Sequence, residues 1–296
     1  MTVEIPSPGS RLGRTGQWQQ ALNVLYINFK DYSRSALEDF DDEAIHQARV
    51  NNRKLLTLLS ILDPSHSTGL YSIFKKAQKR LGKVRDADVL IKSFKDRRKF
   101  VKEDGDTETA SLLKTVIRHQ KVERRKYRHK LARDLPALFS KNVDKQWNEF
   151  LEVQLEPLAA NRDANVVMRE LEVAFDQQKQ KCRALMKSAE TDSGEIFEAL
   201  HDLRIAAKEL RYTANAAAFA LNGKFHANEE IYKKVQEQLG EINDKRVWLD
   251  MLNRIGPKEL DISRKTWTAF TGLLEEEVEE ALRHNEVVQI GSRKSE

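Results

Sequence analysis

His46, Arg49 and Arg53 share their spacing with His201, Arg204 and Lys208: a histidine, then cations three and seven residues on, twice in one chain. On a helix turning about 100° per residue these positions fall within roughly 60° of one another, so each copy lays its imidazole and cations along one stripe. Lys54 follows in the first copy and Arg211 in the second. Arginine supplies a planar fork of donors that stays protonated, which suits stacked anionic oxygens. Seven residues of helix rise roughly 10 Å, enough for one row to meet several phosphates of a linear chain. Arg118, Lys121, Arg125 and Arg128 form a third row on a later helix.

Surrounding cations disfavour a charged imidazole, so His46 and His201 are expected to be neutral at rest and protonated when an anion binds. Asp86 and Asp244 are expected to hold the arginines or histidines in place. One stripe alone would read as a solvated charged face; its recurrence argues against that. A phosphohistidine or metal relay through His46 and His201 is a different chemistry, but flanking cations repel a divalent ion. Nucleic acid suits a basic helical surface, yet aromatic residues are not interleaved with the rows, so base stacking has little support. A scaffold docking through Glu275, Glu276, Glu277, Glu279 and Glu280 is a third alternative. The chain carries no Gly-rich phosphate loop, no His-Glu-x-x-His and no Gly-x-Ser-x-Gly elbow, and no cofactor is expected.

The elements that must position these residues are helices. With 33% charged residues, 12 Gly and 6 Pro in 296 residues, the composition favours long, charge-covered helices, and an all-α fold is expected. Residues 1–150 carry 30 Lys/Arg against 19 Asp/Glu, and 151–296 carry 21 against 27, which places the basic face in the first half. Cys182, the only cysteine, excludes an intrachain disulfide and reads as a small buried hydrophobe. With no secretory signal and no 18-residue apolar run, the cytoplasm is the expected compartment.

Residues 1–15 read as a flexible tail, with Thr15 capping a helix from Trp18 to Phe40. A second helix starts in the Asp41-Asp42-Glu43 cluster, carries the first stripe and stops before Pro64. A third runs from about Leu70 through Gly82, and Thr107 caps a fourth that ends at Pro136. A short helix follows before Pro157, then a connector over 159–165. Further helices are expected over 164–188, over 195–221 with a left-handed stop at Asn222-Gly223, through Tyr232 to Asp244, and over 264–284. Trp18, Trp147, Trp267 and Tyr212 read as core.

Tyr232-Lys233-Lys234 through Asp244 aligns without a gap on Phe74-Lys75-Lys76 through Asp86, including Leu81-Gly82 and Leu239-Gly240. The histidines lie 155 residues apart and the Leu-Gly pairs 158 apart, the mark of a duplicated helical unit, 18–150 and 164–285.

These paired motifs resemble the CHAD family, the histidine-containing α-helical domain, over nearly the whole chain as a single domain. The resemblance implies two pseudo-symmetric four-helix bundles around a basic central cavity. It also implies binding of inorganic polyphosphate, with association to polyphosphate granules in some members. By position it assigns anion contacts to His46, Arg49, Arg53, Lys54, His201, Arg204, Lys208 and Arg211, and further basic positions to Lys75, Lys76, Lys79, Lys233 and Lys234. Leu56 stands where the family usually has an arginine, Glu209 replaces a common cation, and the last helix is acidic. The family often follows a triphosphate-processing domain with a Glu-x-Glu-x-Lys strand; this sequence holds no such strand, so binding without catalysis is expected.

Overall fold

The computed structural model describes residues 13–187, 193–226 and 229–283, and every regular element among them is helical. The expected tail, up to residue 12, lies outside the described residues, as do Thr191-Asp192 and the end of the last expected helix at His284. The described residues fall in two compact units. The first draws on Met1–Lys92, Gln120–Met168 and Tyr212–His226, the second on Ser93–His119, Arg169–Arg211 and Ala227–Glu296.

In the first unit, α1 (Arg14–Glu38) packs on α2 (Asp42–Leu62). Both are amphipathic: Trp18, Leu22, Leu25 and Phe29 on α1, and Ile45, Ala48, Leu55 and Leu59 on α2, face inward at three- and four-residue steps. Asp41 caps α2 by accepting from the Ala44 amide at 2.8 Å, with Asp42 and Glu43 in the positive first turn. The core is aromatic. Tyr26 stacks on Trp147 at 4.4 Å between centroids, Phe74 meets the edges of Tyr26, Phe29 and Trp147, and Trp18 meets Phe219 at 5.1 Å.

The α3 helix (Leu70–Glu103) runs unbroken through Gly82, and α4 (Thr107–Asp134) follows a turn at Gly105. Asp106, not Thr107, caps α4, its carboxylate accepting from the Thr109 amide at 2.9 Å. Likewise Gly13 precedes α1 and Thr15 lies inside it. Pro157 does not end the short helix after α4. The segment α5 (Lys141–Glu149) widens into a π turn over Phe150–Gln154, where the Leu155 amide reaches the Phe150 carbonyl, and continues as α6 (Leu155–Asn161). The wide turn takes up the disruption that a proline brings.

The second unit is built from the ends of α3 and α4 facing it in sequence, α7 (Ala164–Lys187, from Arg169), α8 (Ser193–Ala216, to Arg211), α10 (Glu229–Glu259) and α11 (Arg264–Arg283), with short α9 (Gly223–His226) left to the first. Thr213, Ala214, Ala216 and Ala217 are buried, and the long helix expected to reach Leu221 ends at Ala216 in a short 3-10 turn. Gly223 opens α9 instead of supplying a left-handed stop. The chain kinks at Gly256, whose φ of 74° is open to glycine, immediately before Pro257. Phe94 packs on Trp248 at 4.6 Å, and Phe175 on Tyr232 at 5.9 Å. Leu239, Ile242 and Leu252 of α10 are buried, as are Phe270, Leu274 and Val278 of α11, which packs on it. Cys182 is buried, and burial pushes its thiol up to about 11.

Candidate anion-binding site

In the first unit the α2 stripe sits half-buried at the edge of the core, because the same helix commits Ala44, Ile45, Ala48 and Leu55 to the interior. Leu56, at the position where a further arginine was expected by family pattern, is 7% exposed and belongs to that core. Asn52, fully buried, donates to the Phe74 carbonyl and to Gln78 Oε1, both at 2.9 Å, and so fixes the rotation of α2 against α3.

That rotation presents His46, Arg49, Arg53 and Lys54 together, all half-buried. Burial, then the Arg85 guanidinium, then Arg49 and Arg53 push His46 below the ordinary histidine range; Glu43 opposes them. The direction of that shift is the one the surrounding cations were expected to impose, and Arg85 is a member of the cluster that the spacing did not mark. Arg49 lays its stem over α3 at Gly82, where an added Cβ would lie 3.8 Å from Nε. That Nε is buried with no hydrogen-bond partner. Arg53 donates to the Tyr212 hydroxyl and stacks its guanidinium over the ring, 4.3 Å from the centroid. Tyr212 is therefore a platform for a cation as well as a half-buried packing residue.

The third row divides by environment. Arg118, Lys121 and Arg125 are exposed, whereas Arg128 is half-buried and directs its donors to the Phe40 carbonyl at 3.2 Å and to Asp42 and Asp88, each at 3.6 Å. Arg124, outside the expected row, donates to Asp88 Oδ1 at 2.8 Å. Asp88 is 5% exposed, and its other oxygen, Oδ2, is buried with no partner. Burial pushes the Asp88 carboxyl up, with Asp42 adding to the effect and Arg124 and Arg128 opposing it. Asp88 thus orients two arginines, the role expected of Asp86, which is exposed two residues earlier on α3. What separates the two is helix rotation, which turns Asp88 to the buried side of α3 and Asp86 to the exposed side.

In the second unit α8 carries His201, exposed, with Arg204, Lys208 and Arg211 half-buried. Arg211 donates to Gln236 Oε1 at 3.1 Å. His201 and Arg204 edge a shallow hollow, open to solvent, which Leu200, Leu239, Ile242 and Arg246 also line. Arg246, which the spacing also did not mark, stacks on Phe197 at 5.3 Å. Asp244 is exposed. The lysines assigned by position are peripheral: Lys75, Lys76, Lys79 and Lys234 are exposed, Lys75 lies 5.9 Å from the Tyr71 ring, and Lys233 pairs loosely with Glu230 at 3.9 Å.

Each cluster places an imidazole beside guanidiniums, His46 with Arg85, Arg49 and Arg53 and His201 with Arg204 and Arg246, a donor set for oxyanions. Among the described residues no group of three or more His, Cys, Asp or Glu is placed to hold a metal ion, and no helix is long and apolar enough to cross a membrane.

Residues 20–253 match the CHAD domain family. An uncharacterized protein of Mycobacterium tuberculosis, from strains CDC 1551 and H37Rv, is 28% identical over 212 residues, 68% of this chain. The match takes in 38% of that protein, so the chain spans less than half the length of the curated relatives it matches. Among solved structures, the CHAD domain from the plant Ricinus communis superposes with a TM-score of 0.66 at 18% identity, covering 100% of this chain and 97% of that one. PptA from Streptomyces chartreusis gives 0.61 at 14% identity, covering 94% and 100%. At these identities the likeness is one of fold.

Proposed function

The chain belongs to the CHAD domain family, and from that premise we propose that it binds inorganic polyphosphate, or a polyanion of similar charge density, along its two His/Arg/Lys helices, without catalysing a reaction. The observation that carries this reading is the gathering of Arg85, Arg49 and Arg53 around half-buried His46: burial first, then the three guanidiniums, lower the imidazole pKa, and Glu43 opposes them. Such a cluster gains a counter-charge when a phosphate chain arrives. The second row, His201 with Arg204, Lys208 and Arg211, is proposed as the copy of the first produced by duplication of one helical unit. Association with polyphosphate granules belongs to the same proposal.

Binding is expected to weaken steeply with salt, because each neutralised phosphate releases condensed counterions. The Arg49→Ala/Arg204→Ala double variant is expected to lose most of the affinity for long-chain polyphosphate in moderate salt. Titrations of polyphosphate, duplex DNA and RNA at several salt concentrations test the assignment. A double variant that binds polyphosphate as tightly as the parent would place the site elsewhere; DNA or RNA bound more tightly than polyphosphate at every salt would replace the ligand.

A further inference from the structure

The acidic helix α11 contributes one carboxylate that behaves unlike its neighbours. Glu275, Glu276 and Glu279 are exposed, but the Glu277 side chain is 20% exposed and gives each of its oxygens to a different cation: Oε1 to Arg97 at 2.5 Å and Oε2 to Lys245 at 3.0 Å. Arg97 comes from the end of α3 and Lys245 from α10, with side chains 23% and 34% exposed. Their helices are held in register by Phe94 on Trp248, three residues from each cation. Arg97 packs its guanidinium 6.0 Å from the Phe100 ring. The cations are therefore preset by packing, and a bridging oxyanion, here a carboxylate, already lies between them.

Lys245 also stands directly before Arg246, which flanks the hollow beside His201 and Arg204. Resting on the polyphosphate reading, we propose that Glu277 is an internal anion that closes the Arg97–Lys245 pair to polyphosphate, and so limits how much of the chain the second unit engages. A carboxylate bridging two cations occupies the same donors that a phosphate would, and its charge repels the next phosphate of an arriving chain. The residue is a specificity determinant: its single negative charge occupies donors of both cations and cancels one of their two positive charges while leaving the side chains in place.

The test compares the parent with Glu277→Gln and Glu277→Ala, using long-chain polyphosphate over a series of salt concentrations, with thermal melts to show that each variant is folded. Opening the pair is expected to tighten binding by at least about threefold at low salt and to steepen the salt dependence by on the order of one counterion. Arg97→Gln/Lys245→Gln is expected to leave binding by the parent within about twofold, and to cancel the gain when combined with Glu277→Gln. The inference is overturned if the folded Glu277 variants match the parent in affinity and salt slope, or if Arg97→Gln/Lys245→Gln weakens the parent several-fold, since the pair would then already be in use. The second arm holds even where a Glu277 variant fails to fold. Polyphosphate bound equally by the parent and both Glu277 variants sinks this inference alone; none bound by any of them at low salt sinks the polyphosphate reading as well.

Discussion

His46 combines three influences that the spacing alone could not rank. Its folded pKa lies below the ordinary value, so the unfolded chain takes up the proton more readily. Stability attached to this group is intact above the unfolded histidine range and falls as pH drops through it toward the lower folded value. Under the proposed function, a polyphosphate chain beside His46 would favour the imidazolium, so binding should take up a proton. Affinity is therefore expected to rise as pH falls below about 6.5, and His46→Gln is expected to flatten that rise while leaving binding at pH 8 nearly unchanged. Calorimetric titrations in buffers of different ionisation enthalpy would read the proton directly, and zero uptake at pH 6 would contradict the role. Asp88 works by the opposite logic. Its carboxylate is costly to bury, yet it holds Arg124 and Arg128; Asp88→Ala leaves Arg124 facing an apolar gap and should cost about 2–3 kcal/mol in urea denaturation. Asp88→Asn keeps an acceptor for Arg124 and should cost less than Asp88→Ala.

At the scale of elements, each stripe depends on the helix that carries it starting and rotating correctly. Asp41→Ala removes the acceptor for the Ala44 amide and is expected to cost about 1 kcal/mol of stability by urea denaturation. Polyphosphate affinity should change little, because Asn52 independently fixes the rotation of α2; a large loss of affinity would mean that the cap, not Asn52, sets it. Helix cores such as Leu22-Leu25-Phe29 and Leu55-Leu58-Leu59-Leu62 were legible because burial of one face imposes a three- and four-residue rhythm. Ends were less legible. Asp106 and Thr107 both suit a cap and stand side by side, and only the backbone path decides between them. Asn222-Gly223 has the chemistry of a left-handed stop, but the helix has already ended six residues earlier at Ala216, in an alanine-rich stretch with no side chain that marks the turn. Gly256-Pro257 breaks the line of α10, a feature the sequence reading did not single out.

Across the whole molecule, sequence legibility ends where helix register takes over. Arg124 meets Asp88 across 36 residues and Arg97 meets Glu277 across 180, pairings that no local spacing encodes. The compact units have the same character, because each gathers segments from both halves of the chain. Residues 1–150 contain α1, α2 and α5 but lack α6, which packs on α1 and α2, together with Phe219, the partner of Trp18, and Tyr212, the platform for Arg53. We therefore expect fragment 1–150, for all its excess of 30 Lys/Arg over 19 Asp/Glu, not to unfold cooperatively in urea. Its tryptophans, Trp18 and Trp147, should emit as solvent-exposed residues, where the full chain buries both. The fragment keeps all the cations of the first stripe but not the packing that aligns them. It should bind polyphosphate at low salt through charge alone and lose it in moderate salt, where the full chain is expected to retain it. A cooperative transition and salt-resistant binding by the fragment would show that the first half is sufficient as a folding and binding unit, and would move the determinant of affinity from the arrangement of the stripe to its composition.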